Sequence, residues 1–180
     1  MKKLTTLVLA LVMVFSLAAC GNKNSGTTSK EDTNKTEKPK TVTIKSFNAN
    51  NEETDLEVPY DAQRIAVMDM AALDILDSLG LGDRVVGSSS TSLDYLQEYV
   101  TNDEIVDLGT IKEADMEAVM SCEPDVIFIG GRLAQSYDAL SEIAPVVYLS
   151  TDTEIGLVKS VEKNAKTIAS MFGVEDDVKD

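Results

Sequence analysis

Apolar and polar positions divide this chain into three regimes. From Leu4 to Ala19 the side chains are almost continuously apolar. Residues 22–40 are Asn, Lys, Ser, Gly, Thr, Glu and Asp with a single Pro39. From Thr41 onward the pattern becomes periodic. Residues 41–47 and 54–58 alternate, with the turn-forming run 48–51 between them and Pro59 after, which predicts a β-hairpin. Short apolar strands are then expected at 64–68, 84–87, 125–129 and 145–149. Helical spacing is expected at 70–79, 93–100, 113–122, 137–143 and 153–172. The last of these has Asp152 as its N-cap and Gly173 as its stop. The run 125–129 is apolar throughout, as an interior strand of a parallel sheet is. Strands alternating with helices predict an α/β class: a Rossmann-like lobe with a mostly parallel sheet, preceded by the N-terminal β-hairpin.

The first regime has the anatomy of a secretory signal. Lys2 and Lys3 precede the apolar run, Ala18 and Ala19 close it, and Cys20 follows at once. A cysteine at the cleavage point predicts a lipoprotein signal: residues 1–19 removed and Cys20 acylated. The run is 16 residues long, short of the roughly 20 that a membrane-spanning helix needs. The expected product sits on a membrane through its lipid and does not cross it. Residues 20–40, the lipidated cysteine and a polar tether, bury too little apolar surface to order themselves. The folded body is then 41–180, one domain in size.

Composition narrows the chemistry. There are 16 basic and 31 acidic residues, a net charge of −15. Nucleic-acid binding, which needs a basic face for phosphates, is therefore not expected. The chain contains no histidine, which removes serine–histidine–acid triads and histidine-bearing zinc sites. No GxSxG elbow or phosphate-binding GxxxxGK[ST] loop is present. With Cys20 acylated, Cys122 has no disulfide partner, and its apolar setting predicts a buried small residue. Between Ser46 and Val158 four cations (Arg64, Arg84, Lys112 and Arg132) stand against 23 acids.

Ligands of open α/β sheets gather beyond the carboxyl ends of the strands. Here those ends bring Met68 and Asp69, the small-residue run 88–91, and Gly130–Gly131–Arg132. Glycines let a backbone approach a ligand, and arginine adds a permanent cation with a planar fork of donors. Arg132 reads either as an anion site or as an ordinary ion pair with Asp138. Ser88 and Ser89 read either as hydroxyls for a ligand or as part of a turn, and Met68 as core or cleft wall. Lys112 to Asp115 reads as the start of a helix, with Asp115 and Glu117 favourable in its first turn. The candidate ligand set is Met68, Asp69, Ser88, Ser89, Gly131 and Arg132.

The segment from Arg64 through Met68–Asp69–Met70 to Val86–Gly87 resembles the first βαβ unit of the iron-siderophore binding lipoproteins. These are class III solute-binding proteins of ABC importers. Leu108–Gly109–Thr110, Met116–Glu117, the run Cys122 to Arg132 and the run Ala139 to Tyr148 continue the likeness across roughly 41–180. The wording looks most like the branch that binds catecholate siderophores of the petrobactin type. The resemblance implies two α/β lobes joined by a long helix, with a ferric siderophore in the cleft and the iron held by the chelator, so no protein cofactor. It implies that Arg132 faces the anionic ligand and that Glu117 docks onto arginines of the ABC permease.

The resemblance also implies a second lobe, and the chain stops at Asp180, about where the lobe-joining helix would begin. A truncated class III periplasmic-binding-protein fold is the expectation, with weak ligand binding by one lobe. The alternatives are a haem, cobalamin or other chelate carrier, or a structural docking lipoprotein. An enzyme is disfavoured by the missing motifs. The expected location is the extracytoplasmic membrane face, with Gly21 and the long tether favouring a Gram-positive surface.

Overall fold

Two aliphatic runs lie side by side at the middle of a five-stranded sheet. They are β3 (Ile65–Met68) and a strand at Val126–Ile129, each buried along its whole length. The structure is a computed structural model describing residues 39–178. The hairpin comes first: β1 (Thr41–Phe47) and β2 (Glu53–Pro59) pair antiparallel, with Ile44 opposite Leu56. Asn48 closes its turn by accepting from the N–H groups of Asn50 and Glu52. After β3 come α1 (Met70–Ser78), β4 (Val85–Ser88), α2 (Glu98–Thr101) and β5 (Val106–Asp107). A small hairpin follows, β6 (Gly109–Thr110) with β7 (Glu113–Ala114). Then come α3 (Met116–Ser121), β8 (Val126–Ile129), a 3-10 helix at Gly131–Ser136, α4 (Tyr137–Ser141), β9 (Val146–Tyr148) and α5 (Leu157–Phe172). The sheet order is β5-β4-β3-β8-β9, every pair parallel.

Alternation along the strands divides the core into two layers. Ile65, Val67, Val126, Phe128 and Val147 face a cluster with Leu73 and Leu76 of α1 and Ile168, Met171 and Phe172 of α5. Ala66, Met68, Ile127, Ile129, Val146 and Tyr148 face the opposite cluster, with Val119 of α3, Leu133 of the 3-10 helix and Leu140 of α4. Each fully buried aliphatic or Phe side chain contributes about 1.5–3 kcal/mol. The result is helix on both faces of a parallel sheet, as the alternating pattern predicts. The first hairpin covers the β9 edge: the buried Ser46 hydroxyl accepts from the Tyr148 N–H at 2.9 Å. Pairing an edge N–H in this way removes a site for unwanted strand addition.

Several boundaries differ from the sequence expectation. Residues 93–100 form a 3-10 turn (Asp94–Leu96) and then α2, not one helix. Glu113 and Ala114 belong to β7, and α3 begins only at Met116, where Asp115 caps by accepting from the N–H groups of Glu117 and Ala118. Met120, on this helix, is 53% exposed. The last helix starts at Leu157, not 153. The Asp152 carboxylate accepts from Glu154 N–H in a local turn, and Gly156 at φ 87° separates that turn from the helix. Gly173, at φ 67°, ends it in the left-handed conformation expected of a C-terminal glycine. Cys122 is buried, and its thiol donates to Val119 O while burial pushes its pKa up. Cys20, residues 1–19 and most of the 20–40 tether lie outside the described residues.

Candidate functional site

The carboxyl ends of β3, β4 and β8 form one edge, and three backbone devices shape it. At β3, Asp69 leaves the strand in extended conformation and caps α1 by accepting from Ala72 N–H at 2.9 Å. Burial pushes its carboxyl pKa up against the lowering effect of those backbone donors. At β8, Gly130 runs so close to Asp69 that a Cβ there would overlap the carboxylate. The next residue, Gly131, lies where a Cβ would stand 2.9 Å from the Tyr148 hydroxyl. That hydroxyl donates to Asn51 Oδ1 at 2.8 Å, tying the hairpin turn to the edge. Between Gly131 and the buried Leu133, Arg132 is exposed in the first turn of the 3-10 helix.

The candidate residues separate by depth. Gly131 and Arg132 are exposed, and Asp69 is half-buried. Met68 corrects the cleft-wall alternative: it is fully buried in the α3–α4 side of the core. Ser88 and Ser89 are buried as well. Ser88 Oγ donates to Ser89 O at 3.1 Å, while Ser89 Oγ has no hydrogen-bond partner among the described residues. Parallel pairing places the serines there: Ser89 N–H donates to Val67 O, and Ser88 O accepts from Leu108 N–H. Glu117 is exposed in the first turn of α3, with Met120 one turn on.

The four cations between Ser46 and Val158 also separate. Arg64 donates through Nε to Cys122 O at 3.2 Å and Glu123 O at 2.9 Å. Arg84 donates to Asp61 Oδ1 at 2.7 Å and Ala62 O at 3.0 Å, with its guanidinium 5.5 Å over the Phe172 ring. Both work at the amino end of the sheet. Arg132 and Lys112 are exposed, and neither side chain has an ion-pair or hydrogen-bond partner among the described residues. The pair Arg132–Asp138 therefore does not form. Lys112 sits in the β6–β7 turn, not at the start of a helix. A count of cations in the sequence brings out all four together, but nothing there shows which of them are engaged.

The edge is open. A recess of about 200 Å³ beside it is lined by Asp69, Ile75, Gly131, Thr151 and Asn164 among others. That is below the roughly 300–1,000 Å³ of small-molecule pockets. A larger groove of about 640 Å³ lies elsewhere, against Asp77, Asp83, Glu98, Tyr99 and Glu104. Its carboxylates suit no anion. Among the described residues no group of three or more Asp, Glu or Cys could hold a metal ion. No described helix is long and apolar enough to cross a membrane.

A parallel sheet covered on both faces, with shaped loops and a guanidinium that has no partner among the described residues at its carboxyl edge, makes an α/β lobe. Residues 65–180 match the periplasmic binding protein family, and the chain belongs to that family. It is 37% identical over 180 residues to the petrobactin-binding protein YclQ of Bacillus subtilis, covering all of this chain and 54% of that protein. The crystal structure of YclQ superposes with a TM-score of 0.68 at 33% identity, over 78% of this chain and 48% of that one. The catecholate-siderophore binding protein VctP of Vibrio cholerae gives 0.66 at 29% identity, over 76% and 48%. BauB, solved with two molecules of acinetobactin and ferric iron, gives 0.68 at 26% identity, over 77% and 48%. The chain spans about half the length of the relatives it matches.

Proposed function

We propose that this chain is the first lobe of an extracytoplasmic binding protein that captures a ferric siderophore, of catecholate chemistry, for an ABC importer. Residues 1–19 are its secretory signal, Cys20 its lipid anchor, 20–40 its tether and 41–180 its ligand-facing lobe. Iron stays within the chelator. The protein supplies shape and charge at the carboxyl edge, through the exposed Gly131 backbone and the Arg132 guanidinium. Exposed Glu117 is the contact for arginines of the permease.

The observation that carries this reading is Arg132: an exposed guanidinium, without a partner among the described residues, on the strand-end rim of a chain whose net charge is −15. Its planar fork matches adjacent catecholate oxygens, and its charge offsets that of the complex. The open edge supplies too few contacts to enclose such a ligand, so affinity of this lobe alone is weak. Equilibrium dialysis tests the reading. A ferric catecholate siderophore should bind at micromolar or weaker affinity and lose most of that on Arg132→Ala, while haem and cobalamin stay unbound. Equal binding by the Arg132→Ala variant would refute the anion role, and sub-micromolar binding would refute the single-lobe account. If Glu117→Ala instead abolished a protein contact while no chelate bound, the docking-lipoprotein alternative would replace it.

A further inference from the structure

Two glycines precede Arg132, and neither is demanded by its own backbone. Gly130 has φ −100° and Gly131 has no positive φ, so an L side chain could adopt either conformation. What each position lacks is room. At Gly130 the Asp69 carboxylate fills the space a Cβ would take. At Gly131 the Tyr148 hydroxyl stands 2.9 Å from where a Cβ would be. These two side chains belong to different parts of the lobe, and each is fixed by bonds of its own. Asp69 Oδ1 is tied to the first turn of α1 through Ala72 N–H. The Tyr148 hydroxyl donates to Asn51 Oδ1 at 2.8 Å, its ring packs on Phe47, and its N–H donates to Ser46 Oγ. The 3-10 helix that starts here has no side-chain cap. Its start is held instead by these two side chains and by the buried Leu133, whose N–H donates to Gly130 O.

We propose that Asp69 and Tyr148 are positioning residues for ligand capture: they lock the Gly130–Gly131 turn to α1 and to the β1–β2 hairpin, and so fix where the Arg132 guanidinium stands. This rests on the reading of Arg132 given above. Neither side chain touches the chelate. The two glycines are an internal fit, their missing Cβ atoms replaced by a carboxylate and a phenol of the same lobe. The arrangement also gives the hairpin a task at the rim, although its two strands form a separate sheet. The physical gain is preorganisation. A turn already fixed on both of its glycines loses less freedom when Arg132 meets an anion, so more of the contact appears as affinity.

Substitutions at the two positions separate positioning from other duties. Serine caps a helix about as well as aspartate but is shorter, so Asp69→Ser keeps the α1 cap and vacates the space beside Gly130. Asp69→Asn keeps both. Tyr148→Phe removes the hydroxyl and keeps the ring on Phe47. The purified chain is dialysed to equilibrium against a ferric tris-catecholate at concentrations up to millimolar. Asp69→Ser and Tyr148→Phe should each weaken binding about threefold, within the range of one exposed charge contact. Asp69→Asn should restore what Asp69→Ser loses, whereas a residue that only caps α1 would show no difference between Ser and Asn. A ligand-free measurement checks the fit itself. Without the hydroxyl, the nearest ring carbon of residue 148 lies 3.7 Å from a Gly131 Cβ, an ordinary contact. Gly131→Ala should therefore destabilise the Tyr148→Phe chain to urea less than it destabilises the unaltered chain. Equal destabilisation in the two backgrounds overturns the fit at Gly131, and equal binding losses in Asp69→Ser and Asp69→Asn overturn the role of Asp69. If Arg132→Ala weakens binding while Asp69→Ser and Tyr148→Phe do not, the positioning role falls and the function proposed above stands. If the unaltered chain binds no tris-catecholate, both fall.

Discussion

The Asp69 carboxylate and the Gly130 backbone occupy adjoining space, so that a Cβ on Gly130 would overlap Asp69 Oδ2. Asp69 cannot simply swing aside, because its other oxygen holds the first turn of α1 through Ala72 N–H. Gly130→Ala therefore sets the β8 turn against the α1 cap. The expected cost is about 1–2 kcal/mol, the range for a lost N-cap or a modest overpacking. Urea unfolding measures it, and pairing Gly130→Ala with Asp69→Gly should recover part of the loss.

Asp69 also makes a pH-dependent contribution. Burial holds its folded-state pKa above the ordinary carboxyl value of 3.8, so the folded chain binds more protons there than the unfolded chain. Asp69 thus favours folding when protonated, and that advantage is lost as pH rises from 3.8 through the elevated folded value. Asn caps a helix as well as Asp does and carries no charge. Relative to the unaltered chain, Asp69→Asn should gain stability as pH rises from 4 to 7. Urea midpoints of both proteins across that interval give the difference, and a gap independent of pH would contradict the assignment.

Legibility in the sequence followed burial. The strands 64–68, 125–129 and 145–149 could be read because interior parallel strands are buried on both faces and appear as unbroken apolar runs. The Gly173 stop was readable because it rests on local chemistry, whereas Asp115, expected inside a first turn, is the cap itself. Strands β5, β6 and β7 were not readable: each has two residues, too few for any period. The start of α5 was misplaced because Asp152 has the chemistry of a cap but closes a separate turn before Gly156. At the site, the sequence supplied the strand-end residues but not their depth. Met68, Ser88 and Ser89 sit beneath the edge, and only tertiary packing decides that. Likewise four cations could be counted, but their sorting into two engaged and two without a partner among the described residues depends on contacts between residues such as Arg84 and Asp61, 23 positions apart.

Arg84 and Arg132 should therefore respond unequally to the same substitution. Arg84 joins the segment before β3, through Asp61 and Ala62, to the Phe172 ring at the end of α5. Its loss removes charge-assisted hydrogen bonds and a cation–π contact, about 1–3 kcal/mol together. Arg132→Ala removes no partner among the described residues and should change stability by less than about 0.5 kcal/mol. Urea denaturation of the two variants side by side checks this. Equal destabilisation would mean that Arg132 is structural.

The hairpin's hold on the sheet edge concentrates at Ser46. The residue is 1% exposed, and its hydroxyl accepts from Tyr148 N–H at 2.9 Å. Ser46→Ala leaves that N–H buried on the β9 edge without a partner, a loss of about 1–3 kcal/mol. The damage should be local before it is global, since the ring contact of Phe47 with Tyr148, centroids 5.4 Å apart, and the bond from the Tyr148 hydroxyl to Asn51 both survive the change. Hydrogen exchange resolves the two effects. In Ser46→Ala the amide of Tyr148 should exchange faster by more than the drop in global stability accounts for, while the amides of Val67 and Phe128 in the interior strands should follow the global change alone. If the Tyr148 amide kept its protection, the Ser46 hydroxyl would not be its partner, and the first hairpin would owe its position to Ile44 and Val58 in the core.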